Sequence, residues 1–335
     1  MPIAVSVASR SGLSARAIGE LASAAEDRKL NAFFVAEAVA DSLVLCQAAL
    51  AATTSITVGT AVANARLRHP AATAMATATL DEWSGGRFRI GLGVSNATFN
   101  ERTLGMAPVR PLSFIRDYVA TMRRVLGAGD HDSAPQLVLD RPAPRARIPI
   151  TLAALLPRML QLAGEIADGA VLTLTTPATL PAALNEIAVG TARAGRVRTD
   201  FTVACVLPCC FDDDAAARRA ARGVVTGYAR HPAAARLFEA SGHGDQLRRI
   251  ATALDRGEPD EANRLVDDEM ANDFVLTGDL DRCAQRVAGY LDAGVDLPIL
   301  FPVPGDGDWD RTVRRTLDVA TGLLPRSNTN RRVPT

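Results

Sequence analysis

The chain has 335 residues, 48% of them hydrophobic, enough to bury one large α/β core. Its 37 basic and 37 acidic residues cancel, so no net field draws it to nucleic acid or to an anionic membrane. Five cysteines (Cys46, Cys205, Cys209, Cys210 and Cys283) are odd in number and lack C-x-x-C spacing, as expected of a reduced cytoplasmic protein and not of a disulfide framework.

The N-terminal "MPIAVSVASRSG" lacks a basic flank and has too short an apolar run for a signal peptide. It contains the first strand-like run, "IAVSV" (3–7), followed by a helix over 15–29. "AFFVA" (32–36) leads to a helix over 41–52, and "ITVGT" (56–60) to one over 70–83. Residues 42–65 carry no charge but include Gln47, Thr53, Thr54, Ser55, Gly59 and Asn64, so they read as a buried helix and strand and not as a membrane span. "RFRIGL" (87–92) precedes a helix over 111–125. "ITLAA" (150–154) precedes one over 157–167, and "AVLTL" (170–174) one over 178–194. "FTVACVL" (201–207) opens a long helical region, and "PILFPV" (298–303) leads to a last helix over 309–323.

Eight short strands, apolar on both faces and each followed by a helix, predict an α/β fold, a (β/α)8 TIM barrel. Two amphipathic runs break the pattern and predict a helical insertion over about 211–273, before the last βα unit. No linker divides the chain, so a single domain is expected over 1–325, with a disordered tail over 326–335. Asp212, Asp213 and Asp214 read as a helix cap. No His/Cys/Asp cluster has ligand spacing, so no metal is expected.

"SGGRFRIGLGVSN" (84–96) places glycines on both sides of the fourth strand. As a dinucleotide loop, Gly91 and Gly93 give G-x-G, but Asn96 stands where the third glycine belongs. As a hydrolase elbow, "GVSNA" resembles G-x-S-x-G, but no histidine occurs in the last 90 or so residues to complete a triad. A third reading uses the barrel, whose active sites lie at the C-terminal ends of the strands. Strand two ends at Glu37, strand three in "GTAVAN", strand four at Val94, Ser95 and Asn96, and strand five in "AALLPR" with a proline opening the next helix. A flat ligand laid across strands two to five would bring an anionic end to that helix start. Lys29 is the only lysine, which leaves arginines or backbone amides to hold a phosphate.

Four blocks, "LDEWSGGRFRIGLGVS", "VANARLRHP", "PRMLQLAGEIADG" and "GYLDAGVDLPIL", resemble the bacterial luciferase-like flavin and deazaflavin oxidoreductases over about residues 3–305. The block beginning "GTAVAN" is most similar to the branch that uses coenzyme F-420, as methylenetetrahydromethanopterin reductases do. The resemblance implies an oxidoreductase passing a hydride between reduced coenzyme F-420 and an organic substrate, such as an activated C=C or C=N. FMN in the same cleft, supporting a monooxygenase, is the alternative, and a non-catalytic relative that has lost its cofactor is the second. It implies a non-prolyl cis peptide at Ala61–Val62 backing the ring, with Asn64 beside it. Val94, Ser95 and Asn96 would meet the ring edge, and Gly91 and Gly93 would let backbone approach the ligand. Ala154, Leu155, Leu156, Pro157 and Arg158 would form the phosphate loop, though the two leucines replace the usual glycine. Glu37 is the implied catalytic residue, a ring or substrate partner and proton donor, although Ala38 replaces the histidine that often follows. Arg66 and Arg68 are placed near the acidic tail of the coenzyme, and His69 reads as a structural residue beside Pro70. A homodimer is implied as well.

Overall fold

The computed structural model describes residues 2–127, 147–197, 201–211 and 215–323, together with 137, 139, 140, 143 and 145. Eight strands form the barrel: β1 (Ala4–Ala8), β2 (Ala32–Ala36), β3 (Thr57–Thr60), β4 (Phe88–Gly93), β5 (Ile150–Ala153), β6 (Gly169–Thr173), β7 (Thr202–Cys210) and β8 (Leu297–Pro302). Each pairs in parallel with its neighbours. β8 pairs with both β1 (Ala4 opposite Ile299) and β7 (Leu297 opposite Ala204), which closes the sheet into the expected (β/α)8 barrel.

Strand alternation explains two of its layers. Ile3, Val5, Val7, Phe33, Val35, Phe88, Ile90 and Leu92 face outward into the main core beneath the helices. The inward-facing set is smaller: Ala4, Ala32, Phe34, Ala61, Val171, Ala204 and Ile299 pack inside the barrel. The floor is tied by side chains that stand just before a strand. Ile3 N donates to Asn31 Oδ1 (2.9 Å), Ile150 N to Asp168 Oδ2 (2.8 Å) and Val203 N to Asp296 Oδ2 (2.7 Å).

The surrounding helices are α1 (Ala15–Asp27), α2 (Ser42–Ala51), α3 (Pro70–Trp83), α4 (Pro111–Val125), α5 (Pro157–Ile166) and α6 (Leu180–Arg193). α1 stops two residues short of the expected end because Lys29 takes a left-handed φ of 62°. His69 Nδ1 accepts from Ala71 N (3.2 Å) and caps α3, the structural role expected of it.

The insertion comprises α7 (Ala215–Tyr228), α8 (Pro232–Ala240), α9 (Gly244–Asp255), α10 (Pro259–Arg264) and α11 (Asp268–Phe274). Residues Leu276–Thr277 then pair with the end of β7, and α12 (Leu280–Asp292) leads into β8 and α13 (Trp309–Leu323). The insertion has its own core, built on Val225, Phe238, Ile250, Met270 and Phe274. Leu174, at the C-terminal end of β6, joins that core with φ 54°, so the insertion is docked on the mouth side of the barrel. The aspartate run 212–214 and the tail 326–335 lie outside the described residues. Among the described residues, no helix is long and apolar enough to cross a membrane.

Candidate active site

The site begins where β3 ends. The peptide between Ala61 and Val62 is cis, at the position implied by the "GTAVAN" motif. The chain bulges there and re-pairs with β4 at Ala63 and Asn64. Both flanks hold the bulge: Ala61 N donates to Val35 O (3.1 Å), Glu37 N to Val62 O (3.1 Å) and Ala65 N to Gly93 O (2.8 Å). Ala61 is buried and Val62 half-buried, which gives the mouth one flat, apolar wall.

Gly91 and Gly93 serve this wall. A Cβ at Gly91 would stand 2.3 Å from Thr60 O and 3.1 Å from Val62 Cγ1, and one at Gly93 would stand 2.9 Å from Val62 Cγ2. The structure gives these glycines a second explanation beside the expected approach of a ligand: the bulge itself packs into the space they leave. Thr60 completes the joint, its Oγ1 donating to Gly91 O (2.7 Å) and accepting from Gly91 N (3.0 Å).

Glu37 closes β2 as expected, but its surroundings do not suit a proton donor. The side chain is 1% exposed. Its Oε1 accepts from Ser42 N (3.0 Å) and Ser42 Oγ (2.9 Å), and its Oε2 from Asn64 N (2.7 Å) and Arg68 Nη1 (3.0 Å). Arg68 Nη2 completes a bidentate pair. Five donors converge on the carboxylate and saturate it as a hydrogen-bond acceptor. Glu37 is a positioning residue that fastens the bulge to β2 and to the start of α2. The same bonds raise the pKa of Arg68, first through its hydrogen bond to Glu37. Burial acts to raise the pKa of Asp41, but the hydrogen bond and charge of Arg68, together with the amides of Val44 and Leu43, outweigh it and leave the carboxyl lowered.

Arg68 is thus committed to the scaffold. Arg66 is committed too: its Nη2 donates to Ala107 O (2.6 Å) and its guanidinium lies 5.4 Å above the Phe114 ring. Arg68, paired with Glu37 and Asp41, is therefore not free for an acidic tail.

The β4 loop is ordered by a residue the sequence reading passed over. Asn100, buried in a single π turn over Phe99–Thr103, accepts from Asn64 Nδ2 (2.9 Å) through its Oδ1 and donates to Val94 O (2.7 Å) through its Nδ2. Asn64 and Val94, both expected at the site, are thereby locked together. Ser95 takes φ 55° and is exposed, while Asn96 is exposed with its Oδ1 accepting from Phe99 N (2.6 Å). Across the mouth, Ala154 is buried, with its amide on Val171 O (3.2 Å), and Leu155 and Leu156 are half-buried. Leu156 caps α5 with no side-chain acceptor, and Pro157 occupies N1. The Arg158 amide at N2 is therefore left for a partner outside the helix.

These parts fit a planar ring with an anionic end: an apolar wall, a polar edge at Ser95 and Asn96, and a helix start bearing an arginine. Ser6 Oγ adds an observation. It is fully buried on the inward face of β1 and has no hydrogen-bond partner among the described residues.

The luciferase-like monooxygenase family model matches residues 1–297. The chain belongs to that family. A similar relative is a Mycobacterium tuberculosis protein that bears the name putative coenzyme F420-dependent oxidoreductase, 32% identical over 313 residues, covering 84% of this chain and 89% of the relative. Two solved structures share the fold. The coenzyme F-420-dependent tetrahydromethanopterin reductase of Methanopyrus kandleri has a TM-score of 0.79 at 24% identity, covering 94% of this chain and 97% of that one. The oxygenating component of 3,6-diketocamphane monooxygenase from Pseudomonas putida, in complex with FMN, has a TM-score of 0.65 at 16% identity, covering 96% and 97%.

Proposed function

We propose that this luciferase-like protein is an oxidoreductase that binds coenzyme F-420 in the barrel mouth and acts on a small organic molecule. The observation that carries the reading is the apolar Ala61–Val62 wall at the end of β3, with Asn64 held by Glu37 and Val62 packed against Gly91 and Gly93. The relative of stated coenzyme F-420 dependence supports the choice of cofactor. Once bound, the deazaflavin supplies the hydride chemistry, giving or accepting a hydride at C5.

The chain's own residues bind, orient and shield. Ala61 and Val62 back the ring. Val94, Ser95 and Asn96 meet its edge, with Asn64 and Asn100 fixing their backbone. The free amides of Leu156 and Arg158 hold the phosphate, so the leucines narrow that loop without removing its donors. The insertion roofs the mouth on the β6–β7 side and limits water. It shares Leu174 with the barrel, which supports treating residues 1–325 as one domain.

FMN is the second reading, favoured by the FMN-bound neighbour of the same fold. Titration of the purified protein with coenzyme F-420 and separately with FMN, followed by cofactor fluorescence, tests the choice. Saturable binding of coenzyme F-420 with negligible FMN binding is the expected result. The reverse would assign the chain to flavin-dependent oxygenation. Binding of neither at tens of micromolar would leave a barrel relative without a cofactor.

The assembly is proposed to be a homodimer through α2 and α3. Val44 (58% exposed), Met75 (48%) and Trp83 (53%) flank a cavity of about 660 Å³ on this face, and α2 carries no charge. Light scattering should give twice the 35.3 kDa chain mass, and Trp83→Asp should give the monomer, because a charge at an apolar interface core is desolvated without a partner. A monomeric parent protein would refute it.

A further inference from the structure

The mouth of the barrel has two halves. β2 to β5 carry the wall, the edge and the helix start assigned to the ring, which leaves the half formed by β6, β7, β8 and β1. Strand alternation sets what that half presents. Val171 and Ile299 pack inside the barrel, so Thr173 and Phe301, two residues further along their strands, face the mouth above them, both half-buried. Ala8 closes β1 on the same face as Ala4 and adds only a methyl group. This half therefore offers an apolar floor with one hydroxyl at its edge.

The insertion supplies the roof. A Cβ at Gly305 would lie 2.9 Å from both Ala216 C and Ala217 N, so the loop after β8 lies directly against the first turn of α7. At the other end, Val225 and Ala229 share a core with Leu174, just past β6. α7 has 14 residues, about 20 Å at 1.5 Å per residue, and so spans the rim from the β8 loop to the β6 loop. Tyr228 is its last residue, half-buried, with its ring edge-on to His231 at 6.5 Å. Its hydroxyl makes no hydrogen bond among the described residues. Arg10 stands two residues beyond the end of β1, exposed, and also has no hydrogen bond or ion pair among the described residues. Burial raises the pKa of Tyr228, and the charge of Arg10 acts in the opposite sense without cancelling it. The two groups therefore face one space, and the phenol stays a protonated donor at neutral pH.

We infer that Arg10 and Tyr228 bind a carboxylate of the substrate, which makes the substrate a small organic acid with an apolar body. One guanidinium takes both oxygens of a planar carboxylate, and a phenol O–H adds a further bond to either oxygen. One positive charge matches one carboxylate and not a phosphate dianion. Phe301 and Ala8 would lie under the apolar body. The inference rests on the coenzyme F-420 reading, in which the ring fills the other half of the mouth, and adds to it the substrate class and the two residues that select it.

The test uses the protein loaded with coenzyme F-420 and two pairs of probes, crotonate with crotonamide and cinnamate with cinnamamide, titrated by saturation-transfer NMR. At least one acid should bind about tenfold more tightly than its amide. Arg10→Gln should abolish that preference, and Arg10→Lys, which keeps the charge without the fork, should retain part of it. Tyr228→Phe keeps the ring against the insertion and should weaken the acid by about threefold. Amide binding and coenzyme F-420 affinity should match the parent in all three variants, which a merely structural role for these residues would not allow. Acids bound no better than amides by the parent, or a preference that survives Arg10→Gln, would overturn the inference and leave the cofactor assignment standing. Failure of coenzyme F-420 to bind would overturn the cofactor assignment and this inference with it.

Discussion

Glu37→Gln is expected to lose stability and cofactor affinity together. The substitution keeps the shape of the side chain but removes the charge that answers Arg68, whose own side chain is only 17% exposed. It also turns one acceptor oxygen into an NH2 group facing the donors of Ser42 or of Asn64 and Arg68. Removing one partner of a buried pair typically costs about 3–5 kcal/mol, because the remaining charge is left uncompensated. Asp41 lies 2.8 Å from Arg68 and softens that loss, so the lower end of the range is expected in urea denaturation. Cofactor affinity should fall by about tenfold or more, since Asn64 N loses its anchor and the bulge loses its tie to β2. Arg68→Ala should produce much of the same loss, and the double variant should cost far less than the sum of the two, as for residues that act as one unit. A Glu37→Gln protein with parental stability and affinity but abolished turnover would return the carboxylate to a proton-transfer role.

The sequence showed most of the scaffold because the scaffold obeys local rules. Strands apolar on both faces alternate with alanine-rich helices opened by Pro70, Pro111 and Pro157, and each of those starts was found to the residue. The cis bulge was not legible from propensity. Ala61 and Val62 look like any strand end, and only the similarity of the surrounding motif marked them. Glu37 stood out as an acid closing a strand, but its role depends on partners 5, 27 and 31 residues away, which no spacing rule joins. Arg68 lay in plain view in "RLRHP" and was read toward the ligand, because a sequence does not show which way a long side chain turns. Asn100 gave no sign at all. It belongs to a π turn, whose period matches neither helix nor strand, and it works by joining two loops. The cysteines illustrate the opposite case. Their number and spacing argued against a disulfide framework, and all five are free and buried; burial pushes the Cys205 thiol up to about 12 and Cys209 well above its ordinary value, which disfavours the reactive thiolate.

The glycines of β4 offer the second large effect, and they separate two explanations of the same residues. Gly91→Ala would drive a methyl to 2.3 Å from the Thr60 carbonyl oxygen, a backbone atom that β3 and β4 hold in place. Overpacking of this kind commonly costs about 1–3 kcal/mol, and the upper end is expected here because backbone, not a rotatable side chain, has to move. Gly93→Ala meets Val62 Cγ2 at 2.9 Å, so its first consequence is to push the Val62 side chain out of the wall. Stability should fall modestly and cofactor affinity by about tenfold. The double variant Gly93→Ala with Val62→Ala removes the clashing methyl and should recover most of the affinity lost by Gly93→Ala alone. If the glycines instead admitted a ligand to the backbone, the added methyl would still block it after Val62 is trimmed, and the double variant would bind no better than the single. Fluorescence titration of the three proteins therefore decides whether β4 is bare for the cofactor or for the bulge that backs it.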